Sequence, residues 1–226
     1  MSADETPDYF TDNGHIFIAG ITGSKTDMGG KTSLANWWLD TWGRSHADLR
    51  VFFNAKGTSG VRGTKVHSVS DLADAYAAGE RHFNYIPPDE DWASHHQDLK
   101  EFTAALPTEI SKVYAHDETP DYGGEGSLEW FVKIGGQDDG LHAANVKNLV
   151  LAQDPVDVPK AVRKQTDTYA WVGPTTDDYI DFFRKIRMSN HHEWIQQNHE
   201  PYQWSILQGP RSADRTTYEP VPEVYA

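Results

Sequence analysis

The densest chemistry in the chain lies in Gly29-Gly30-Lys31-Thr32-Ser33. Two glycines, an ammonium and two hydroxyls in sequence suit an oxyanion. Bare backbone N–H groups surround it, the Lys reaches its outer oxygens, and the Thr hydroxyl holds Mg²⁺. Such a loop works only between a strand and a helix. The apolar run His15 to Ile21 reads as a buried strand, and Leu34, Trp38 and Trp42 recur at helical spacing. The ligand this context implies is a nucleotide, held by Gly29, Gly30, Lys31, Thr32 and Ser33.

A phosphate loop needs a second site to manage metal and water. The run Lys112 to Ala115 is mostly apolar and ends in His116-Asp117-Glu118. In phosphate-loop ATPases an Asp at such a strand end shares Mg²⁺ with the loop hydroxyl, and the next Glu orients or deprotonates water. Asp117 and Thr32 are therefore the metal candidates, and Glu118 the catalytic one beside Lys31. The ordinary alternative is an acidic pair opening a turn at Thr119-Pro120. A third run, Asn148 to Gln153, ends in an amide. Gln153 at a strand's C-terminal end can sense a γ-phosphate, because ligands of open α/β sheets sit there.

The elements that must position these residues alternate along the chain. Strands are predicted at Leu49 to Phe53, His82 to Ile86, Ile110 to Ala115, Leu149 to Ala152, Tyr169 to Val172 and Tyr202 to Leu207. Helices are predicted from Ser70 as cap through Ala78, over Trp92 to Leu106, from near Ser127, over Pro159 to Thr166, and around Tyr179 to Ile186. Alternation of this kind predicts an α/β fold with a mainly parallel central sheet covered on both faces. An acidic leader (residues 1–14), a single domain (15–208) and an extended tail (209–226) complete the expected organisation.

The 226 residues suffice for one such domain. With no cysteine, disulfides and thiolate metal sites are excluded. No signal peptide and no membrane-spanning run are expected. The net charge of −14 normally disfavours nucleic acid. Asp outnumbers Glu, however, and the acids are dispersed as in proteins adapted to high salt. In molar salt the Debye length is about 3 Å, so local basic clusters matter more than the sum. The loop Lys56 to Lys65 is such a cluster, and Lys56, Arg62 and Lys65 are candidate contacts for a DNA backbone, on a segment expected to be flexible. The ordinary alternative is a mobile surface loop.

The order of phosphate loop, strand ending Asp117-Glu118 and strand ending Gln153 resembles the FtsK–HerA superfamily of DNA-pumping ATPases. Gly20-Ile21-Thr22-Gly23-Ser24 is similar to the start of that family's phosphate loop. Gln153 to Lys160 with Gln165-Thr166-Asp167 resembles the segment after its sensor Gln. The short length resembles the genome-packaging ATPases of tailless icosahedral viruses with an internal membrane, and the acidity suits a virus of halophilic archaea. The resemblance implies a P-loop NTPase fold of RecA/FtsK type, hydrolysis of ATP with Mg²⁺, translocation of double-stranded DNA, and a homo-oligomeric ring of five or six copies. It also implies portal or membrane-vertex proteins of a virion as partners. A plasmid or conjugative DNA pump, or a virion protein that binds nucleotide without turnover, fits the same motifs.

Two departures from the family pattern stand out. Lys25 to Gly29 interrupts the loop, so Ser24-Lys25-Thr26 offers a rival register. Gly reaches positive φ and admits phosphate close to the backbone better than Ser, which favours Lys31. No Arg stands between Glu118 and Gln153, where Lys147 is found; a trans-acting Arg is then sought among Arg163, Arg184 and Arg187. The paired histidines His95-His96 and His191-His192 point to different faces of a helix and are read as structural, as are Trp37, Trp38, Trp42 and Trp130 as core.

Overall fold

A computed structural model describes residues 15–20, 30–117, 126–135, 145–152, 158–166, 168–208 and 216–225. Eight strands form one sheet: β1 (Ile16–Gly20), β2 (Leu49–Phe53), β3 (Thr64–Val66), β4 (His82–Tyr85), β5 (Lys112–His116), β6 (Val146–Ala152), β7 (Thr168–Val172) and β8 (Trp204–Gln208). Their spatial order is β3-β4-β2-β5-β6-β1-β7-β8. Every pairing is parallel except that of β8 with β7. The α/β class and mainly parallel sheet expected from the sequence are the observed ones. Strands β1, β5 and β7 are buried at every position, as strands covered on both faces must be.

Eight helices flank the sheet among the described residues: α1 (Lys31–Asp40), α2 (Trp42–His46), α3 (Val69–Ala77), α4 (Trp92–Ala105), α5 (Ser127–Gly135), α6 (Lys160–Lys164), α7 (Ile180–Lys185) and α8 (Ser189–Asn198). One face packs Ile16, Ile18, Ala115 and Leu149 against Leu34, Trp37, Trp38 and Trp42 of α1 and α2. The opposite face carries two clusters. Phe17, Val150 and Trp171 meet Phe182 and Phe183 of α7, whereas Val51, Phe83 and Tyr114 meet Leu99 of α4 and Phe131 of α5. Trp37, Trp38 and Trp42 are core residues, as expected, and Trp130 is partly buried. Among the described residues no helix is long and apolar enough to cross a membrane.

Local differences from the sequence expectation have identifiable causes. Helix α3 is capped by Ser68 rather than Ser70. The Ser68 hydroxyl accepts from the Asp71 N–H at 3.0 Å, while the Asp71 carboxylate accepts from the His67 N–H at 3.1 Å, so two amide donors at the helix start are satisfied by side chains. Strand β3 occupies the end of the segment read as loop, and α8 forms where no element was expected. Strand β8 starts at Trp204 instead of Tyr202, because Tyr202 turns the chain at φ 66°. Beyond it, Tyr218 pairs with Trp204 through both backbone groups (2.7 and 3.2 Å), and their rings stack at 4.3 Å. This lays residues 216–225 over the α1 face.

Candidate nucleotide site and the polar network beneath it

Three strand ends define the site. β6 lies between β1 and β5, with Ala19 opposite Ala152 and His116 opposite Val150. The chain therefore leaves β1 toward the phosphate loop, β5 toward Asp117 and β6 toward Gln153 on one edge of the sheet. Glu118, Gly29, Gln153, Lys25 and the loop between Gly20 and Gly30 lie outside the described residues. Asp117 continues β5 by donating its N–H to the Phe53 carbonyl at 3.2 Å and is only 7% exposed.

The loop's two flanks are built for close approach. A Cβ on Gly20 would fall 2.2 Å from the Val172 carbonyl oxygen, so only glycine fits where β1 ends against β7. Gly30 sits at φ 143°, and a Cβ there would press on Val172 at 3.1 Å. Helix α1 then starts at Lys31, with the Leu34 N–H donating to the Gly30 carbonyl at 2.8 Å. The Lys31 side chain is buried, and its ammonium folds back to the Gly20 carbonyl at 3.0 Å. Lys31 thus links the start of α1 to the end of β1. Thr32 and Ser33 follow it in the first turn, half-buried.

A network that sequence reasoning did not find runs across the sheet from His116 at the end of β5 to His15 just before β1. Ser127 Oγ meets His96 Nδ1 at 2.7 Å, His96 Nε2 meets His116 Nδ1 at 2.9 Å, and His116 Nε2 meets Asn148 Oδ1 at 2.8 Å. Asn148 Nδ2 reaches His15 Nδ1 at 3.1 Å and the Phe131 carbonyl at 3.0 Å, and His15 Nε2 reaches the Val132 carbonyl at 2.6 Å. Backbone carbonyls only accept, so Asn148 donates from its nitrogen and accepts at its oxygen, and every proton is assigned in turn. Ser127 donates to His96, His96 to His116, His116 to Asn148, and Asn148 to His15. All three imidazoles are neutral in this arrangement. Burial pushes His96 well below its ordinary range, with the neighbouring His116 adding to the shift, and burial lowers His116 to about 4 against the hydrogen bond it donates to Asn148. The relay ties α4 and α5 to the strands of Asp117, Gln153 and the phosphate loop. Its sequence signal is a His or Asn inside an otherwise apolar strand, which a buried position tolerates only with partners.

The Lys56 to Lys65 segment departs from the flexible loop expected of it. Asn54 Oδ1 accepts from the Thr58 N–H at 2.7 Å, Asn36 Oδ1 accepts from the Arg62 N–H at 3.0 Å, and Asn84 Nδ2 donates to the Val61 carbonyl at 3.1 Å. Arg62 also pairs with Asp40 at 3.0 Å and covers the Tyr225 ring at 4.3 Å. Its guanidinium anchors the loop, whereas Lys56 and Lys65 are exposed. Asp40 itself, 8% exposed, gathers Arg44 at 2.8 Å, Tyr225 Oη at 2.9 Å and the partly buried Arg50 at 4.0 Å. Burial would raise its carboxyl pKa, but the hydrogen bonds from Tyr225 and Arg44 outweigh that and hold it below the usual value.

The other candidate cations lie elsewhere. Arg184 is exposed and pairs with Asp181 at 3.2 Å, while Arg163 and Arg187 line a groove at the start of β7, on the edge opposite Lys31 and Asp117. Lys147 places its ammonium 5.1 Å from the Trp42 ring. The paired histidines are held in the framework, as expected: His96 in the relay, His192 by the Thr176 carbonyl at 2.9 Å, and His95 by Asp89 at 3.0 Å.

No protein-family model matches the sequence, and no curated relative matches it either. Solved structures do. The genome packaging NTPase B204 of Sulfolobus turreted icosahedral virus 2, in complex with ATP-γS, superposes with a TM-score of 0.63 at 15% identity over 93% of this chain and 100% of that one. Its AMP complex gives 0.64 at 16% identity over 92% and 98%. The cytoplasmic domain of the type VII secretion ATPase EccC of Thermomonospora curvata gives 0.51 at 12% identity, over 91% of this chain and 25% of that one. The likeness is one of fold. The chain has the P-loop NTPase architecture that its resemblance to the FtsK–HerA superfamily implied, and it resembles viral packaging ATPases.

Proposed function

We propose that this chain hydrolyses ATP to move double-stranded DNA, as the packaging motor of a virus. The observation that carries this reading is the adjacency of the β1, β6 and β5 ends, with Lys31 and Asp117 on one edge, in a fold shared with a packaging NTPase that binds an ATP analogue. Lys31 neutralises the outer phosphates, Gly29, Gly30 and Ser33 offer N–H groups, and Gln153 links the γ-phosphate to movement. The Thr32 hydroxyl and the Asp117 carboxylate are the hard oxygen donors that Mg²⁺ prefers, and the ion would supply charge neutralisation at the phosphates. Glu118, next to Asp117, takes the proton of the attacking water. Because phosphoryl transfer is mainly positioning and electrostatics, a neighbour's cation in a ring completes such a site. Lys56, on the segment after β2, and Lys65, in β3, are the exposed cations offered to DNA, and Arg62 anchors the chain between them. The carboxylate-rich surface is read as adaptation to high salt.

The test is ATP turnover in molar KCl, with and without double-stranded DNA. Lys31→Ala should abolish turnover and Lys25→Ala should retain it; loss in Lys25→Ala alone moves the register. Glu118→Gln should bind Mg·ATP and turn over at least about a hundredfold more slowly. Tight nucleotide binding with no turnover in the parent chain would overturn the motor in favour of a nucleotide-binding virion protein.

A further inference from the structure

A chain of net charge −14 has 20 Lys and Arg residues, and five of them line one groove. Lys160, Arg163 and Lys164 come from α6, and Lys185 and Arg187 from the end of α7, around a volume of about 730 Å³. Among the described residues no carboxylate lines it, and none of the five makes an ion pair. The Arg163 Nε is buried without a hydrogen-bond partner.

Helix electrostatics accounts for part of this cluster only. Cations in the last turn of a helix meet its negative end, which suits Arg163, Lys164 and Lys185. Lys160 stands in the first turn of α6, where a cation is disfavoured. Arg187 lies past the end of α7, in a backbone conformation where side chains cost energy. Its φ is 62°, and the chain closes a Schellman turn around it: the Met188 N–H donates to the Phe183 carbonyl at 2.7 Å and the Arg187 N–H to the Arg184 carbonyl at 3.1 Å. Glycine is the residue this position favours. A strained position kept by a long cation that faces a cationic groove is a trade of stability for binding.

We propose that the groove between α6 and α7 binds the phosphodiester backbone of a nucleic acid, as a contact separate from the Lys56–Lys65 segment. The groove offers a row of cations and, among the described residues, no carboxylate, with Thr166, Tyr169 and Ile186 completing its lining; a row of cations is the chemistry of sequence-independent backbone contact. The identity of the polyanion rests on the DNA-handling reading above; the anion site itself does not.

The experiment is fluorescence anisotropy of a random-sequence 30-base-pair duplex, without nucleotide, over a salt series. Lys160→Gln/Lys185→Gln should weaken binding at least about tenfold near 0.2 M salt and reduce the slope of log affinity against log salt by about two. Arg187→Gly should raise the melting temperature while lowering duplex affinity, a pair of opposite signs that a purely structural Arg would not give. Unaltered affinity and slope in the double variant, with the fold intact, would overturn the proposal. So would competition by poly-glutamate as effective as that by DNA at equal charge, which would mark an acidic protein segment as the ligand. ATP turnover of the parent chain is measured alongside. Turnover with groove-independent duplex binding sinks the groove alone, whereas groove-dependent binding without turnover sinks the motor alone.

Discussion

Two buried polar networks face opposite sides of the sheet and solve the same problem differently. The relay from Ser127 to His15 is neutral, runs in one donor direction and ends on backbone carbonyls. The Asp40 cluster is charged, draws in three arginines and opens to solvent through Arg44, which is 69% exposed. The neutral network passes through His116, next to Asp117, and crosses β6 at Asn148 to reach His15 before β1. The charged one holds the Lys56–Lys65 segment and Tyr225. Neutral hydrogen bonds are insensitive to ionic strength, whereas partly exposed ion pairs are screened. The β5 end beside Asp117 thus rests on hydrogen bonds that salt does not reach, and charge is kept for the Lys56–Lys65 segment and Tyr225.

The hardest break falls on the charged side. Asp40→Ala would strand Arg50, 11% exposed, near Arg44 without a counter-charge and remove the acceptor of the Tyr225 hydroxyl. Losing one partner of such a cluster costs about 3–5 kcal/mol. Urea unfolding reads this directly, and the loss should shrink as salt rises. A loss below about 1 kcal/mol would mean that water already compensates the cluster.

On the neutral side, His116→Leu leaves the Asn148 Oδ1 acceptor and the His96 donor unsatisfied in the core, at about 2–3 kcal/mol. This loss should not depend on salt. Because the relay acts as a unit, His96→Leu combined with His116→Leu should cost less than the two singles together. Additive losses would dissolve the network into independent hydrogen bonds.

The frame of the candidate phosphate edge was legible in the sequence because its parts are local: the apolar run that forms β1, the helix that opens at Lys31, and the run that forms β5 before Asp117. Parallel pairing then brings separate strand ends together without further information. The relay was not legible, since His15, His96, His116 and Asn148 share no spacing and meet only once β5, β6 and β1 are adjacent. Arg62 illustrates a second limit. Its composition read as a cation for DNA, yet Asp40, 22 residues away, had already engaged it. Ser68 in place of Ser70 is a smaller miss, decided by which hydroxyl reaches the Asp71 amide.

Acid should test both networks in one window. Burial first, and then the charge of Arg50, lowers the His82 imidazole from 6.5 to about 4 within the Asp40 cluster, and burial lowers His96 within the relay. Between those values the unfolded chain binds a proton that the folded chain refuses. Stability is therefore full above about pH 6.5 and declines as pH falls, and the His82 part of the decline flattens near pH 4. His82 alone accounts for about 2 kcal/mol at pH 5, at 1.36 kcal/mol per unit. The Asp40 carboxyl, held below 3.8, adds its loss only at lower pH. In His82→Asn the acid slope that remains belongs largely to the relay. A stability profile flat from pH 7 to 5 would show that neither imidazole is held neutral.

The smallest effect separates the relay's end from its middle. Ser127 donates to His96 Nδ1 from the start of α5, and Ser127→Ala removes that donor alone. His96 cannot compensate by moving its proton to Nδ1, because His116 Nδ1 needs a donor from His96 Nε2 so long as His116 itself donates to Asn148. Asn148 in turn is fixed by the carbonyl of Phe131. One acceptor is left bare at a cost of about 1 kcal/mol, well under the loss in His116→Leu. Nitrogen chemical shifts of the His96 ring would show the proton still on Nε2 in the variant. A proton on Nδ1 instead would mean that the chain of donors can reverse, and that backbone carbonyls do not set its direction.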